Sequence, residues 1–237
     1  MNIVFTRRQE VAPHVWEYFF NPERLMWFTP GQYAHFRFPF HIDDPHGKQH
    51  RTFTLTSMPN EPELRFIVRL DEPVSVYKRP LSELKPGDRM LMDDPLGDAV
   101  LPRLATRLLF VAQGIAIASY LSILKELKAR CARLDLAQEL ALGLTWRNPV
   151  TLIWARRDAD NSLENLIPAE IPNLKRVDIV YPARIDLTKL RHHVTKETLV
   201  YLSGSQSFVE TLGTQLESSG TLRERIIYDY YEGYPDL

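Results

Sequence analysis

Two observations predict the fold class, a β domain followed by an α/β domain. Up to about residue 100 the chain offers six short stretches rich in β-branched and aromatic residues, separated by proline, glycine and asparagine turn signals. Beyond that point, continuous apolar runs alternate with segments whose apolar residues fall at helical spacing. The first pattern implies an N-terminal six-stranded antiparallel Greek-key barrel over residues 1–100, because closure removes exposed sheet edges. The second implies a doubly wound parallel sheet over residues 101–237, with helices covering both faces.

Bulk properties narrow the class. The chain has 237 residues, enough for two ordinary domains, and its 44% apolar and 25% charged residues are those of a globular protein. A formal net charge of -1 supplies no basic field for nucleic acid. The single cysteine, Cys131, excludes an intrachain disulfide framework, a four-cysteine zinc site and a protein-held iron–sulfur cluster. The opening MNIVFTRRQE lacks the apolar run of a signal peptide, and no segment is long enough to span a bilayer. A reduced, cytoplasmic protein is expected.

In the first half the expected strands are Asn2–Val11, Val15–Phe20, Gln32–Phe38, Arg51–Ser57, Glu63–Leu70 and Arg89–Asp93. His41, His46 and His50 lie in or beside the loop that starts at Pro39, but their spacing fits no metal-ligand pattern and no metal is expected. Thr29-Pro30-Gly31-Gln32-Tyr33 enters its strand through a tight turn. The most informative strand is Arg51–Ser57, with Arg51, Phe53 and Leu55 on one side and the hydroxyls of Thr52, Thr54 and Thr56 on the other. A guanidinium, a flat ring two residues on and an adjacent hydroxyl suit a flavin nucleotide. A half-exposed strand with a surface arginine would read the same way. Arg65–Leu70, with Val68 in its middle, could line a ligand along its edge. Pro73-Val74-Ser75-Val76-Tyr77 then leads into a short helical run ending near Leu84. Free N–H groups at a helix start and the Ser75 hydroxyl make a diphosphate site, whereas a plain helix cap is the alternative role for Ser75.

Pro30-Gly31-Gln32-Tyr33, Arg51-x-Phe53-Thr54-x-x-Ser57, Val74-Ser75-x-Tyr77 and Leu84-x-Pro86-Gly87-Asp88 together resemble the flavin domain of the ferredoxin–NADP reductase superfamily. In order and spacing they also resemble the reductase halves of flavohaemoglobins, cytochrome b5 reductases and oxygenase reductases. The resemblance implies FAD in the barrel domain. Arg51 would hold the diphosphate, Phe53 would lie against the isoalloxazine ring, and Thr54 would reach its N5/O4 edge. Ser75 and the Val74–Ser75 backbone would complete the diphosphate site, with Thr52 and Val68 among the cofactor-binding residues. The superfamily usually carries tyrosine at the position of Phe53 and glycine at that of Glu72 or Pro73. The first change keeps stacking but loses a hydroxyl contact to the ribityl chain.

In the second half Leu108–Ala112 has the apolar run of a strand buried on both faces. Gln113-Gly114 breaks it, and Ile117, Leu121, Leu124 and Leu127 mark one face of a helix running towards Arg133. Later strands are expected at Val150–Ala155, Val177–Ala183, Leu199–Leu202 and Arg225–Tyr230. Phe208, Val209, Leu212 and Leu216 mark a last helix that stops at Gly220. A ligand of such a sheet lies at the carboxyl ends of its strands. The resemblance makes this a nucleotide-binding domain for NAD(P)H, with Gly114, Ile115, Ala116 and Gly204 against the dinucleotide. Only Gly114 and Gly204 remain of the superfamily's glycine sets, and Ala116 adds a methyl where backbone meets pyrophosphate. Ser203 replaces a cysteine that lies near the reacting nicotinamide carbon in relatives. Arg156 and Arg157 could pair with the 2′-phosphate of NADPH, while Asp158 and Asp160 oppose it; a solvated charged turn is the alternative.

The aromatic tail from Ile226 to Leu237 resembles the superfamily's terminal segment, in which an aromatic side chain covers the flavin. Tyr231 is the best match and Tyr234 the alternative; such a ring would act as a gate for nicotinamide. A surface tyrosine cluster packing the last strand is the rival reading. The resemblance thus implies an FAD-dependent reductase that takes a hydride from NADPH or NADH, with Thr54, Ser203 and Tyr231 around the chemistry. Electrons would pass to a one-electron acceptor, either a small redox protein such as ferredoxin, flavodoxin or a haem protein, or a diffusing molecule. The altered nicotinamide loops leave a second possibility open, an FAD-binding electron-transfer subunit of a larger complex with a weak or lost nicotinamide site.

Overall fold

A computed structural model of the chain describes residues 1–102, 107–133, 149–156, 162–171, 173–181 and 183–231. The chain divides into two compact units, one over Met1–Val100 and a second beginning at Leu101.

The first unit is a six-stranded antiparallel sheet made of β1 (Asn2–Ala12), β2 (Val15–Pro22), β3 (Tyr33–Arg37), β4 (His50–Thr54), β5 (Leu64–Arg69) and β6 (Arg89–Met92). Its order is β4-β3-β6-β1-β2-β5, so β4 and β5 are neighbours in sequence and opposite edges in the ladder. The sheet curls until these edges meet: the Thr56 N–H donates to the Arg65 carbonyl at 2.8 Å, and the Arg65 N–H to Ser57 Oγ at 3.1 Å. Alternation places Ile3 and Phe5 of β1 inside. Tyr18, Phe20 and Phe66 stack there, with Tyr18 and Phe66 5.5 Å apart at 12° and Phe20 and Phe66 5.3 Å apart at 23°. Each such ring stabilises the fold by several kcal/mol on burial, of the order of the 3–5 kcal/mol lost when a core phenylalanine is cut to alanine.

β4 is shorter than the expected Arg51–Ser57. After Thr54 the chain leaves the ladder with β3: Leu55 bonds the Gln32 carbonyl at 3.0 Å and Thr56 crosses to β5. The strict alternation therefore stops there, and Leu55, Thr56 and Ser57 are all buried. The helical run after Pro73 is also shorter than expected, a single five-residue α1 (Lys78–Ser82).

The second unit is a parallel sheet of β7 (Arg107–Gln113), β8 (Val150–Arg156), β9 (Leu174–Val180), β10 (Thr198–Ser205) and β11 (Ile226–Tyr231) in the order β11-β10-β7-β8-β9. Counting from β7, this is the doubly wound order 3-2-1-4-5, whose switch point lies between β7 and β10. β7 is central, and Leu108 to Ala112 are all buried. One 3-10 turn (Gly114–Ile117) joins β7 to α2 (Ala118–Arg133), which buries Leu121, Leu124 and Leu127. Asp186 caps the short α3 (Leu187–Leu190), accepting the Lys189 N–H at 3.0 Å. α4 (Gln206–Ser218) buries Val209, Leu212 and Leu216. It ends where Gly220 takes φ +97°, letting Thr221 bond Leu216 O and Gly220 bond Glu217 O, both at 3.0 Å.

β9 starts three residues before the expected Val177 and ends at Val180. Lys175 and Arg176 hid its beginning; as an edge strand, β9 tolerates charge on its outer face. β10 extends beyond the expected Leu199–Leu202 to Ser205, and β11 runs through Tyr231. Among the described residues no helix is long and apolar enough to cross a membrane.

Candidate functional site

In the first unit the chemistry collects around Arg51. Its position on β4 would suit a surface cation, yet the residue is 5% exposed. The Arg51 Nη2 donates to Asp44 Oδ2 at 2.5 Å, and Nη1 donates to the carbonyls of His50 at 2.9 Å and Lys48 at 3.4 Å. The guanidinium also lies 4.8 Å from the centre of the buried Tyr77 ring, whose hydroxyl donates to the Phe36 carbonyl at 2.5 Å. Asp44 is equally enclosed, and the loop is built to keep it there. His46 N–H donates to Asp44 Oδ1 at 2.8 Å, Gly47 N–H to Asp44 O at 2.8 Å, and the Gln49 amide brackets both backbone groups of Ile42 at 2.9 and 2.8 Å. The hydrogen bond from Arg51 holds the Asp44 carboxyl below the usual carboxylate range against the opposing effect of burial.

Phe53 is half-buried, with its ring stacked on Phe66 at 4.4 Å and 8°. Thr54 and Val68 are buried, while Thr52 is exposed with its hydroxyl 2.9 Å from His35 Nδ1. Tyr33 packs its ring against Gly97, where an added Cβ would come within 2.9 Å of it. Ser75 Oγ accepts the Lys78 N–H at 3.4 Å and its carbonyl accepts the Arg79 N–H at 2.9 Å, while Val74 N–H points to the Glu72 carboxylate at 3.3 Å. Burial pulls the Lys78 ammonium below its ordinary range; Asp71 opposes this, and Arg51 and Arg69 add to it. Lys78 thus feels the charges of both Arg51 and Arg69.

In the second unit the switch point brings Gln113, Gly114 and Gly204 together. Gln113 Oε1 accepts from the Ser205 N–H at 3.3 Å and the Ser205 hydroxyl at 3.0 Å. A side chain at Gly204 would meet Phe208 at 2.7 Å and Gln113 Cβ at 3.0 Å, so that position is closed by packing. Gly114 has φ +57° with open space where a Cβ would stand, and its carbonyl accepts the Trp154 indole N–H at 2.9 Å. Ile115 is half-buried and Ala116 buried. The Arg156 side chain is turned to Asp178 at 3.6 Å and to the Trp154 ring. Arg157 and Tyr234 lie outside the described residues.

Ser203 is fully buried in a polar cluster. Its hydroxyl donates to Asp229 Oδ2 at 2.6 Å, and Ser119 Oγ donates to the same oxygen at 2.5 Å. Ser119 Oγ also lies 3.2 Å from the Tyr231 hydroxyl. Burial raises the Asp229 carboxyl above its ordinary value, and the two serine donors hold it back. Burial and the nearby Asp229 push the Tyr120 hydroxyl well up. Tyr231 is thus the last residue of β11, paired with Ser205, with its hydroxyl anchored in this cluster. Sequence reasoning missed Asp44, Ser119 and Asp229. Asp229 had one recoverable signal, the parallel register that sets it opposite Ser203. Among the described residues no group of three or more histidine, cysteine, aspartate or glutamate side chains could hold a metal.

No family model matches the chain. It is 24% identical over 244 aligned positions to Flavohemoprotein A of Dictyostelium discoideum, covering 96% of this chain and 59% of that protein. A flavohemoglobin from Malassezia yamatoensis, solved with bound FAD and heme, superposes with a TM-score of 0.74 at 20% identity, over 98% of this chain and 60% of that one. The chain therefore spans about 60% of the length of these two relatives. Ferredoxin–NADP+ reductase from Plasmodium falciparum, solved with 2′P-AMP, superposes with a TM-score of 0.74 at 16% identity, over 97% of this chain and 95% of that one. At these identities the superpositions show a shared fold: the chain, a six-stranded antiparallel unit followed by a five-stranded parallel sheet, has the fold of this flavohemoglobin's matched region and of this ferredoxin–NADP+ reductase.

Proposed function

We propose that the protein is an FAD-dependent NAD(P)H oxidoreductase that delivers electrons to a one-electron acceptor such as ferredoxin, flavodoxin or a haem protein. The observation that carries this reading is the donor set on β4: a buried guanidinium that already holds a carboxylate, two residues before an aromatic ring fixed flat on Phe66. A site that accepts one oxyanion accepts a diphosphate by the same chemistry, so the residues fit FAD. Arg51 would take the diphosphate, with Lys78 and Arg69 adding positive charge. Phe53 would offer its ring to the isoalloxazine, and Thr54 a hydroxyl beside it. Bound FAD supplies the conversion of a two-electron hydride into single electrons. The buried Ser119–Ser203–Asp229 group supplies the second unit with an acid of raised pKa in a dry setting.

Gln113 favours a second reading. Its amide takes the Ser205 N–H and hydroxyl at the switch point, donors that a dinucleotide phosphate would otherwise use. With Ser203 also committed to Asp229, the chain would then be an FAD-binding electron-transfer subunit with a weak nicotinamide site. Anaerobic titration of the FAD-loaded protein with NADPH and with NADH separates the two. Bleaching of the flavin absorbance supports the reductase, a yellow protein that neither nucleotide bleaches supports the subunit, and a protein that takes up no FAD refutes both.

A further inference from the structure

We propose that Asp44 is an internal competitor for the cofactor's diphosphate, and that the loop carrying it must release Arg51 before FAD binds fully. This rests on the flavin reading above and deepens it by naming what sets cofactor affinity. The side chains of Arg51 and Asp44 are 6% and 3% exposed, so the pair is out of water. Nη2 is bonded to Asp44, Nη1 to two backbone carbonyls of the same loop, and Tyr77 stands against the guanidinium. A diphosphate that takes the Nη2 donor now given to Asp44 has to replace the carboxylate. Two anions in one dry pocket would also repel each other strongly.

The loop has the parts such a replacement needs. Asp44 lies seven residues before Arg51, on a segment that runs from the end of β3 to the start of β4 and pairs with no other strand. Its hydrogen bonds are local, through Gly47 to Asp44, His46 to Asp44 and Gln49 to Ile42, while Ile42 is buried in the hydrophobic core beside Phe38 and anchors the start of the loop, so the part that moves is the turn from Asp43 onward. Moving it leaves the barrel ladder intact. Arg51, for its part, is anchored by β4 and keeps Lys78 as a neighbouring charge, so the position remains attractive to an anion once the carboxylate leaves. Affinity for FAD is then an intrinsic affinity reduced by the fraction of time the loop is closed.

The test compares FAD with riboflavin, which has the same ring and no phosphate, by flavin fluorescence quenching on wild type and Asp44→Asn. The expected result is FAD binding at least tenfold tighter in the variant, riboflavin affinity within twofold of wild type, and a lower thermal midpoint of the flavin-free variant. FAD binding unchanged or weakened by the substitution, or riboflavin strengthened equally, overturns the competitor role while leaving the flavin site standing. Binding of neither flavin by wild type overturns the flavin reading and this inference with it. Stopped-flow on wild type needs no variant: the FAD association rate should level off at high FAD concentration, at the rate of loop release, while that of riboflavin rises linearly. A linear rise for both overturns the proposal.

Discussion

Ser203→Ala gives a direct test of the buried cluster, because its cost should depend on pH in a defined direction. Asp229 Oδ2 accepts two hydroxyls, Ser119 at 2.5 Å and Ser203 at 2.6 Å. Burial raises its pKa above the ordinary 3.8, so the folded chain binds this proton more tightly than the unfolded one. The resulting stability is present in full below about pH 3.8 and is lost as pH rises through the folded value. Removing the Ser203 hydroxyl takes away a donor that favours the charged form, which raises the folded value further and deepens that loss. A hydrogen bond to a charged group contributes about 1.5–3 kcal/mol and one to a neutral group about 0.5–1.5 kcal/mol. The variant should therefore lose about 1.5–3 kcal/mol where Asp229 is ionised, roughly 3–12 °C in thermal midpoint for a chain of this size, and the loss should shrink as pH falls from 8 towards 4.5. Urea unfolding followed by circular dichroism at pH 4.5, 6 and 8 measures it. The Asp44–Arg51 pair does not interfere, since Asp44, with its lowered pKa, stays ionised across this range and loses its contribution only below about pH 3.8. A loss equal at all three values, or larger in acid, would refute the account of Asp229.

Three more outcomes follow from other parts of the molecule. Arg51→Leu removes a charge-assisted hydrogen bond from Asp44 and should cost about 1.5–3 kcal/mol, part of which returns when Asp44→Leu is added; a double-mutant cycle in urea reads the coupling, and strict additivity would count against the pair. Phe66→Ala removes the platform under Phe53 and the centre of the aromatic stack, costing about 3–5 kcal/mol, with loss of near-ultraviolet circular dichroism as the independent sign. Gln113→Ala releases the Ser205 N–H and should raise kcat/KM for NAD(P)H by up to about tenfold, the equivalent of one hydrogen bond; an unchanged value in steady-state reduction assays would remove Gln113 as the cause of a weak site.

The sequence made the architecture readable where residue patterns are local. The apolar run Leu108–Ala112 is a central strand because only a strand covered on both faces is apolar throughout. Gly220 marks the end of α4 because the closing turn needs φ +97° there. The strand at Arg51 was legible in place but not in environment. Whether an arginine on a strand is solvated or buried depends on the loop above it, and nothing in the spacing of Asp44 shows that it turns back. The same limit hid Asp229 among tyrosines, since its partners are 26 and 110 residues away, Ser203 brought to it by parallel pairing and Ser119 by the packing of α2. Ser75 differs from both: α1 is only five residues long and starts after Tyr77, and the Ser75 hydroxyl accepts the Lys78 N–H at 3.4 Å from two residues before that N-cap position.

The seam between β4 and β5 bears on how the first unit assembles. The edges of its ladder are joined by residues only nine apart, Thr56 and Arg65, whereas β1 and β6 pair Asn2 with Leu91 across nearly the whole unit. Loop-closure entropy grows with the logarithm of the separation, so after the β1–β2 hairpin, which pairs Ala12 with Val15, the seam is the least costly contact to make, and β1–β6 is the most costly, about 2 kcal/mol above the seam. The cylinder is thus cheap to join where a ladder diagram shows a gap, and most expensive in the middle of the drawn sheet. Its topological edge and its kinetic weak point lie on different strands.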